Sequence, residues 1–224
     1  MEPDPLMVGG VFIDAFRFIP DNASLLFHEG VGTVELAFAA LGLASAVALP
    51  LGLWLGHKHR GLFLALGVSN VGRALPSIVL IGFAIALLNL SFFWECAIAL
   101  IALAIPPILT NTFFAVERVD ADAVEAARGM GLTETQILLH VELPLGLPLI
   151  LAGLRIAAVF DIATATIAGI VGGGGLGDII ANPPTYGDAG VLGASYCVAF
   201  LALVVAGALA LLHRAAYRRM TPNA

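Results

Sequence analysis

The chain has 224 residues, 60% of them hydrophobic and only 12% charged, with a mean hydropathy of +1.00 and a formal net charge of −6. Ordinary soluble domains carry roughly 25% charged residues, so this composition excludes that class and points to an all-α integral membrane protein. Cys96 and Cys197 both lie in apolar runs, where cysteine behaves as a small hydrophobe; there is no disulfide framework and no metal-ligand spacing.

The N-terminus reads MEPDPLMVGG, and its first basic residue is Arg17. It lacks the positive start and small-residue cleavage site of a secretory signal and is expected to be retained. Residues 12–27 mix Phe and Ile with charges and a proline, which suits a short interfacial segment better than a span, with a poorly ordered tail as the alternative. A hydrocarbon core of roughly 30 Å needs about 20 apolar helical residues. Runs of that kind fall at 32–55, 67–88, 94–115, 149–171 and 191–212, giving about five transmembrane helices. Pro50, Pro76, Pro106, Pro107 and several glycines interrupt them. Such breaks persist in lipid where neighbouring helices or a water-lined path satisfy the freed backbone groups, so a bundle around a pathway is expected.

An odd number of spans puts the termini on opposite sides. Lys58 and Arg60, then Arg118 and Arg128, then Arg214, Arg218 and Arg219 fall on one side, whereas the other holds Arg17 alone. The positive-inside rule therefore predicts the N-terminus outside and the C-terminus cytoplasmic. Trp54 and Trp94 sit at span ends of opposite sidedness, as an aromatic belt would place them. The expected organisation is an external or interfacial segment 1–30, a transmembrane domain 31–214 with a cytoplasmic loop 116–148 and an external loop 172–190, and a cytoplasmic tail 215–224.

The cytoplasmic loop is the most informative stretch. A first helix is expected to start at Asp120 or Asp122, run through Val124, Glu125, Ala126 and Ala127, and stop at Gly129, with Gly131 permitting the turn. A second opens at Thr133 with a Thr-x-x-Gln capping box closed by Gln136, and Pro144 is expected to end it. A DNA-reading helix-turn-helix would need a basic second helix, yet residues 132–143 contain Glu134 and Glu142 and no Lys or Arg. A structural hairpin remains, as does a knob that inserts a small-residue helix into a partner's groove.

Glu125-Ala126-Ala127, three residues, Gly131, nine residues, then Val141-Glu142-Leu143-Pro144 resembles the EAA loop of the membrane-spanning subunits of ABC importers, with Val141 in place of the usual Ile. The stretch "PPILTNTFFAVERVDADAVEAARGMGLTETQILLHVELPLGLPLILAGLRIAA" and "GGGGLGDII" look like the permeases of the osmoprotectant group, which import glycine betaine, choline, carnitine and similar quaternary amines. The likeness is strong over about 100–182, loose over the first two spans, and does not cover residues 1–30. It implies a type I permease core in the cell (inner) membrane, working as a dimer with the same or a related chain. The implied partners are a cytoplasmic ATPase dimer, which carries the ATP and Mg, and an external solute-binding protein that meets loop 172–190, together with membrane lipid. The resemblance makes Asp122 to Gly131 the coupling segment. Its matching positions are Asp122, Glu125, Ala126, Ala127, Gly129 and Gly131, followed by Leu143 and Pro144. Independently, the chain offers no ATP site of its own: a P-loop needs a lysine at the phosphates, and the only lysine is Lys58 in "GHKHR".

Within the spans, Asp161 is the costly residue. Arg155 lies six positions earlier, about 240° around a helix, and so cannot share its face. Either Asp161 lines the pathway for a cationic solute, with Thr164, Thr166 and Asn111 as further pathway residues, or it packs against Arg73 or Asn70. Arg155 is expected to snorkel at the cytoplasmic end. His57 and His59 are assigned to the basic cuff, and Glu35 and Glu95 to solvated span ends. No catalytic group cluster appears in the spans. A secondary transporter would usually show an internal repeat, and none is found. A methionine importer, which has the same glycine-rich external signature, is the nearest rival within the family.

Overall fold

The computed structural model describes residues 5–59, 67 and 75–220. The described residues are helical almost throughout. The helices are α1 (Pro5–Asp21), α2 (Ala23–His57), α3 (Ser77–Leu88), α4 (Phe92–Glu117), α5 (Ala121–Gly129), α6 (Glu134–Ile137), α7 (Leu143–Ala168), α8 (Leu176–Ala181) and α9 (Pro183–Met220). Wide π turns at Leu138–Glu142 and Gly169–Gly173 flank α7. Four described stretches are long and apolar enough to cross a membrane: Ala23–His57, Phe92–Glu117, Glu134–Gly173 and Pro183–Arg214. They contain four of the five expected spans. The other, 67–88, is represented by α3; Asn70 and Arg73, the packing partners considered for Asp161, lie outside the described residues.

The chain forms two compact units. One comprises residues 1–39, 77–100 and 161–204, and the other 40–76, 101–160 and 205–224. In the first, Leu26, Leu176, Ile179 and Ala194 form a buried cluster supported by Phe18, Ile19 and Tyr186. The N-terminal segment is a packed helix rather than a tail. Phe16 of α1 stacks on Tyr196 at 5.1 Å, and Phe18 lies so close to Gly190 and Gly193 of α9 that a Cβ at either would sit 3.1 Å from its ring. Small residues that admit a neighbouring helix this closely are the usual packing device where lipid removes the hydrophobic incentive to associate.

In the second unit Leu41, Ala44 and Leu55 of α2, Ile108, Leu109 and Phe113 of α4, and Ala157 and Ala158 of α7 share one core. Backbone contact is close throughout. A Cβ at Gly52 or Gly56 would meet Thr112 or Phe113 O at 2.7 Å, and one at Gly146 would meet Ala115 O at 2.7 Å. The Pro106-Pro107 break does not end α4. Asn111 donates its side-chain amide to Pro107 O at 2.7 Å, and Gly153 of α7 makes room for that side chain.

Pro144 does not end the second loop helix, contrary to expectation. The helix that starts at Glu134 continues through Gly173. A proline ring clashes with the carbonyl four residues earlier in a regular α-helix, and here the π turn Leu138–Glu142 lies directly before it. Widening the turn displaces that carbonyl and lets the helix pass, so the second loop helix runs on into the following span.

Candidate functional site

The loop between α4 and α7 is built by local chemistry. Asp120 caps α5, its carboxylate accepting from Asp122 N at 3.0 Å. At the other end Leu132 N donates to Ala127 O and Gly131 N to Arg128 O, with Gly131 at φ +85°. This is the double-bonded glycine stop that satisfies the last carbonyls of a helix. Gly131 is therefore a fixed corner. Thr133 and Gln136 form the expected capping box at the start of α6. α5 turns one residue inward, Ala127, which is 1% exposed, while Asp122, Glu125, Ala126, Gly129 and Gly131 face outward. Met130, overlooked in the sequence, adds a 74% exposed apolar side chain beside them. Its signal was present: an apolar residue between two glycines has nowhere inside to go.

A network of charged groups at the base of this loop was not anticipated. His57, assigned above to the basic cuff, has its side chain buried at 8% exposure. Its Nδ1 shares a 2.7 Å hydrogen bond with Glu142 Oε2, and its Nε2 lies 3.3 Å from Glu134 Oε2. Glu134 in turn accepts from Arg128 Nε and Nη2 at 3.2 and 3.1 Å. Glu142 is itself buried. A buried carboxylate needs a donor to offset lost hydration, and among the described residues the imidazole supplies it.

A second cluster surrounds the glycine-rich stretch after α7. The Glu29 carboxylate accepts from Gly175 N at 2.7 Å, and Thr33 Oγ1 accepts from Leu176 N at 3.0 Å while donating to Glu29 O at 3.0 Å. Gly175 has φ +77°, and a Cβ there would meet Thr33 Oγ1 at 2.6 Å. Gly177 is closer still to its neighbour, leaving no room for a Cβ against Thr166 O. The glycines let α2 hold this stretch by its backbone. Glu95, expected at a solvated span end, is instead buried, and its carboxylate accepts from Leu90 N at 2.9 Å. It closes the turn before α4 instead of sitting in solvent. Glu35 is exposed, as expected.

Of the expected pathway residues, Asp161, Thr164 and Thr166 all lie buried on α7. Asp161 and Thr164, three apart, share a helix face, and Thr166 donates to Ile162 O at 2.9 Å. Both Asp161 carboxylate oxygens lack a hydrogen-bond partner among the described residues. Arg155 is exposed, in keeping with a snorkelling side chain. Asn111 is occupied by Pro107 O and belongs to the other unit. An apolar groove of about 590 Å³ between α1, α2 and α9 is lined by Phe16, Phe27, Val31, Tyr196 and Phe200 and offers no carboxylate to a cation.

Residues 48–222 match the family model described as "Binding-protein-dependent transport system inner membrane component". The chain is 37% identical over 208 residues to the carnitine transport permease protein OpuCB of Listeria monocytogenes, covering 92% of this chain and 93% of that one. It is 32% identical over 207 residues to the choline transport system permease protein OpuBB of Bacillus subtilis, with the same coverage of 92% and 93%. Among solved structures, the inward-facing MetNI methionine ABC transporter matches with a TM-score of 0.72 at 24% identity, covering 87% of this chain and 97% of that one. At that identity the likeness is one of fold.

Proposed function

We propose a function from one secure premise: the chain belongs to the family of binding-protein-dependent transport system inner membrane components. It is a multi-pass inner-membrane protein with a transport role. Within that role we read it as the permease subunit of an ATP-driven ABC importer for quaternary-amine osmoprotectants: carnitine, choline and glycine betaine. The observation that carries this reading is identity of 37% and 32%, over 92% of the chain, with permeases named for carnitine and choline. A methionine importer has the support of fold alone.

In this reading ATP is hydrolysed by a separate cytoplasmic ATPase dimer, which grips α5 and its corner. Glu125, Ala126, Gly129 and Gly131 form a low, outward surface that a groove can approach closely, with Asp122 at its start and Met130 as an apolar plug. Ala127 anchors the helix from behind. Leu143 and Pro144 then pass the displacement into α7 as part of one continuous helix. A second permease subunit, identical or related, completes the pathway, and a solute-binding protein delivers solute to the side of loop 172–190. The asymmetry of basic residues supports an external N-terminus and a cytoplasmic C-terminus.

Asp161 belongs to the pathway in this account. A buried carboxylate with no donor among the described residues is costly, and a passing quaternary ammonium is the kind of charge that offsets it. Thr164 and Thr166 supply neighbouring hydroxyls on α7, and Asn111 of α4 is kept as a further pathway candidate. The test is genetic: a host stripped of its own osmoprotectant uptake receives this chain with its cognate ATPase and binding protein. Growth in high salt that depends on added betaine, choline or carnitine supports the reading; growth on limiting methionine by a methionine-uptake mutant, without osmotic rescue, replaces it.

A further inference from the structure

We propose that His57 is a positioning residue for energy coupling, acting as the clasp that ties both helices of the loop to the end of α2. The inference rests on the reading of this loop as the ATPase-docking element.

The geometry gives the imidazole two acidic neighbours on different sides. Nδ1 meets Glu142 Oε2 at 2.7 Å, and Nε2 faces Glu134 Oε2 at 3.3 Å. Glu134 is also held by Arg128, the basic residue in the last turn of α5. The chain Arg128, Glu134, His57, Glu142 therefore runs from the docking helix, through the start of α6, onto α2 and back to the π turn. The outermost link is weak. Arg128 and Glu134 have side chains 56% and 53% exposed, and exposed pairs contribute little. His57 differs because it and Glu142 are buried at 8% and 3%, where a hydrogen-bonded charge is expensive to strand.

The π turn explains why Glu142 reaches inward. Adding about one residue to a turn rotates everything after it by roughly 100°. π turns of this kind are frequent at functional sites. Here the turn points a carboxylate at the last residue of α2. That end of α2 is itself fixed, since Gly56 allows Phe113 O and Val116 of α4 to approach within 2.7 and 2.9 Å of where its Cβ would be. A push on α5 is thus delivered to α2 and α4 as well as along α7. Without the clasp, a push would still run along the continuous helix from Glu134, but α2 and α4 would not be tied to it, and less of each ATP hydrolysed would be converted into movement of the spans.

The experiment uses the complete importer, with ATPase and binding protein, reconstituted in vesicles. It measures solute imported per ATP hydrolysed, with whichever of carnitine, choline and glycine betaine the parent imports. His57→Ala is expected to assemble and hydrolyse ATP but to lose import per ATP by roughly tenfold, the scale of one lost charge-assisted hydrogen bond. His57→Gln, which still donates to Glu142, should recover most of it. Glu134→Gln, on the surface and no threat to folding, should show a smaller loss in the same ratio. Parent-like ratios in all three overturn the proposal. If His57→Ala does not assemble, a parent-like ratio in Glu134→Gln overturns it. Gly131→Val serves as the separate control: if that corner variant stays fully coupled, the docking role of the loop fails whatever His57 does.

Discussion

Gly131 carries a backbone conformation that an L side chain adopts at a cost of about 1–2 kcal/mol, and two hydrogen bonds depend on it. Gly131→Val should therefore misdirect α6 relative to α5 while leaving the spans folded. We expect a complex of normal melting temperature whose ATP-dependent import falls roughly tenfold, since about 1.4 kcal/mol is a factor of ten; a Gly131→Asn variant, better suited to that conformation, should keep more. Paired thermal-shift and uptake measurements separate the two effects. Asp161 gives a charge-specific prediction. Replacing it by Asn removes the carboxylate that could pair with a cation and keeps the shape, so import of cationic choline should fall about tenfold more than import of net-neutral glycine betaine. Equal losses for the two solutes would assign Asp161 to helix packing.

At the scale of elements, the spans depend on glycines that admit neighbouring backbone. A Cβ at Gly153 would lie 2.6 Å from Asn111 Cβ and 3.0 Å from Pro107 O, whereas one at Gly207 meets nothing within 4 Å. Gly153→Val should cost about 1–3 kcal/mol by overpacking and lower the melting temperature in detergent, and Gly207→Val should leave it unchanged. A similar drop in both would mean that helix propensity, not packing, sets the cost. The same contrast shows what a sequence reveals. The caps of the loop were legible because Asp120, Thr133, Gln136 and Gly131 act within a few residues of themselves. His57 and Glu142 stand 85 positions apart, and nothing local in "GHKHR" signals a buried partner. Pro144 misled for a related reason: a proline stops an isolated helix, but a π turn before it and a packed span after it carried the helix across. Glu95 read as a surface charge because its partner, Leu90 N, is a backbone group that any sequence would have supplied.

At the scale of the whole molecule, the proposed function puts energy input at the capped loop between α4 and α7 and solute passage at the membrane-spanning helices. That division requires transport to depend on ATP that this chain does not itself hydrolyse. The most direct measurement is uptake of labelled choline, carnitine and glycine betaine by vesicles containing this chain with its ATPase and binding protein, with ATP, without ATP, and with Glu125→Arg in the loop. Uptake of at least one of the three is expected to require ATP and to be abolished by Glu125→Arg. Uptake that proceeds without ATP, or that is indifferent to the loop substitution, would contradict it.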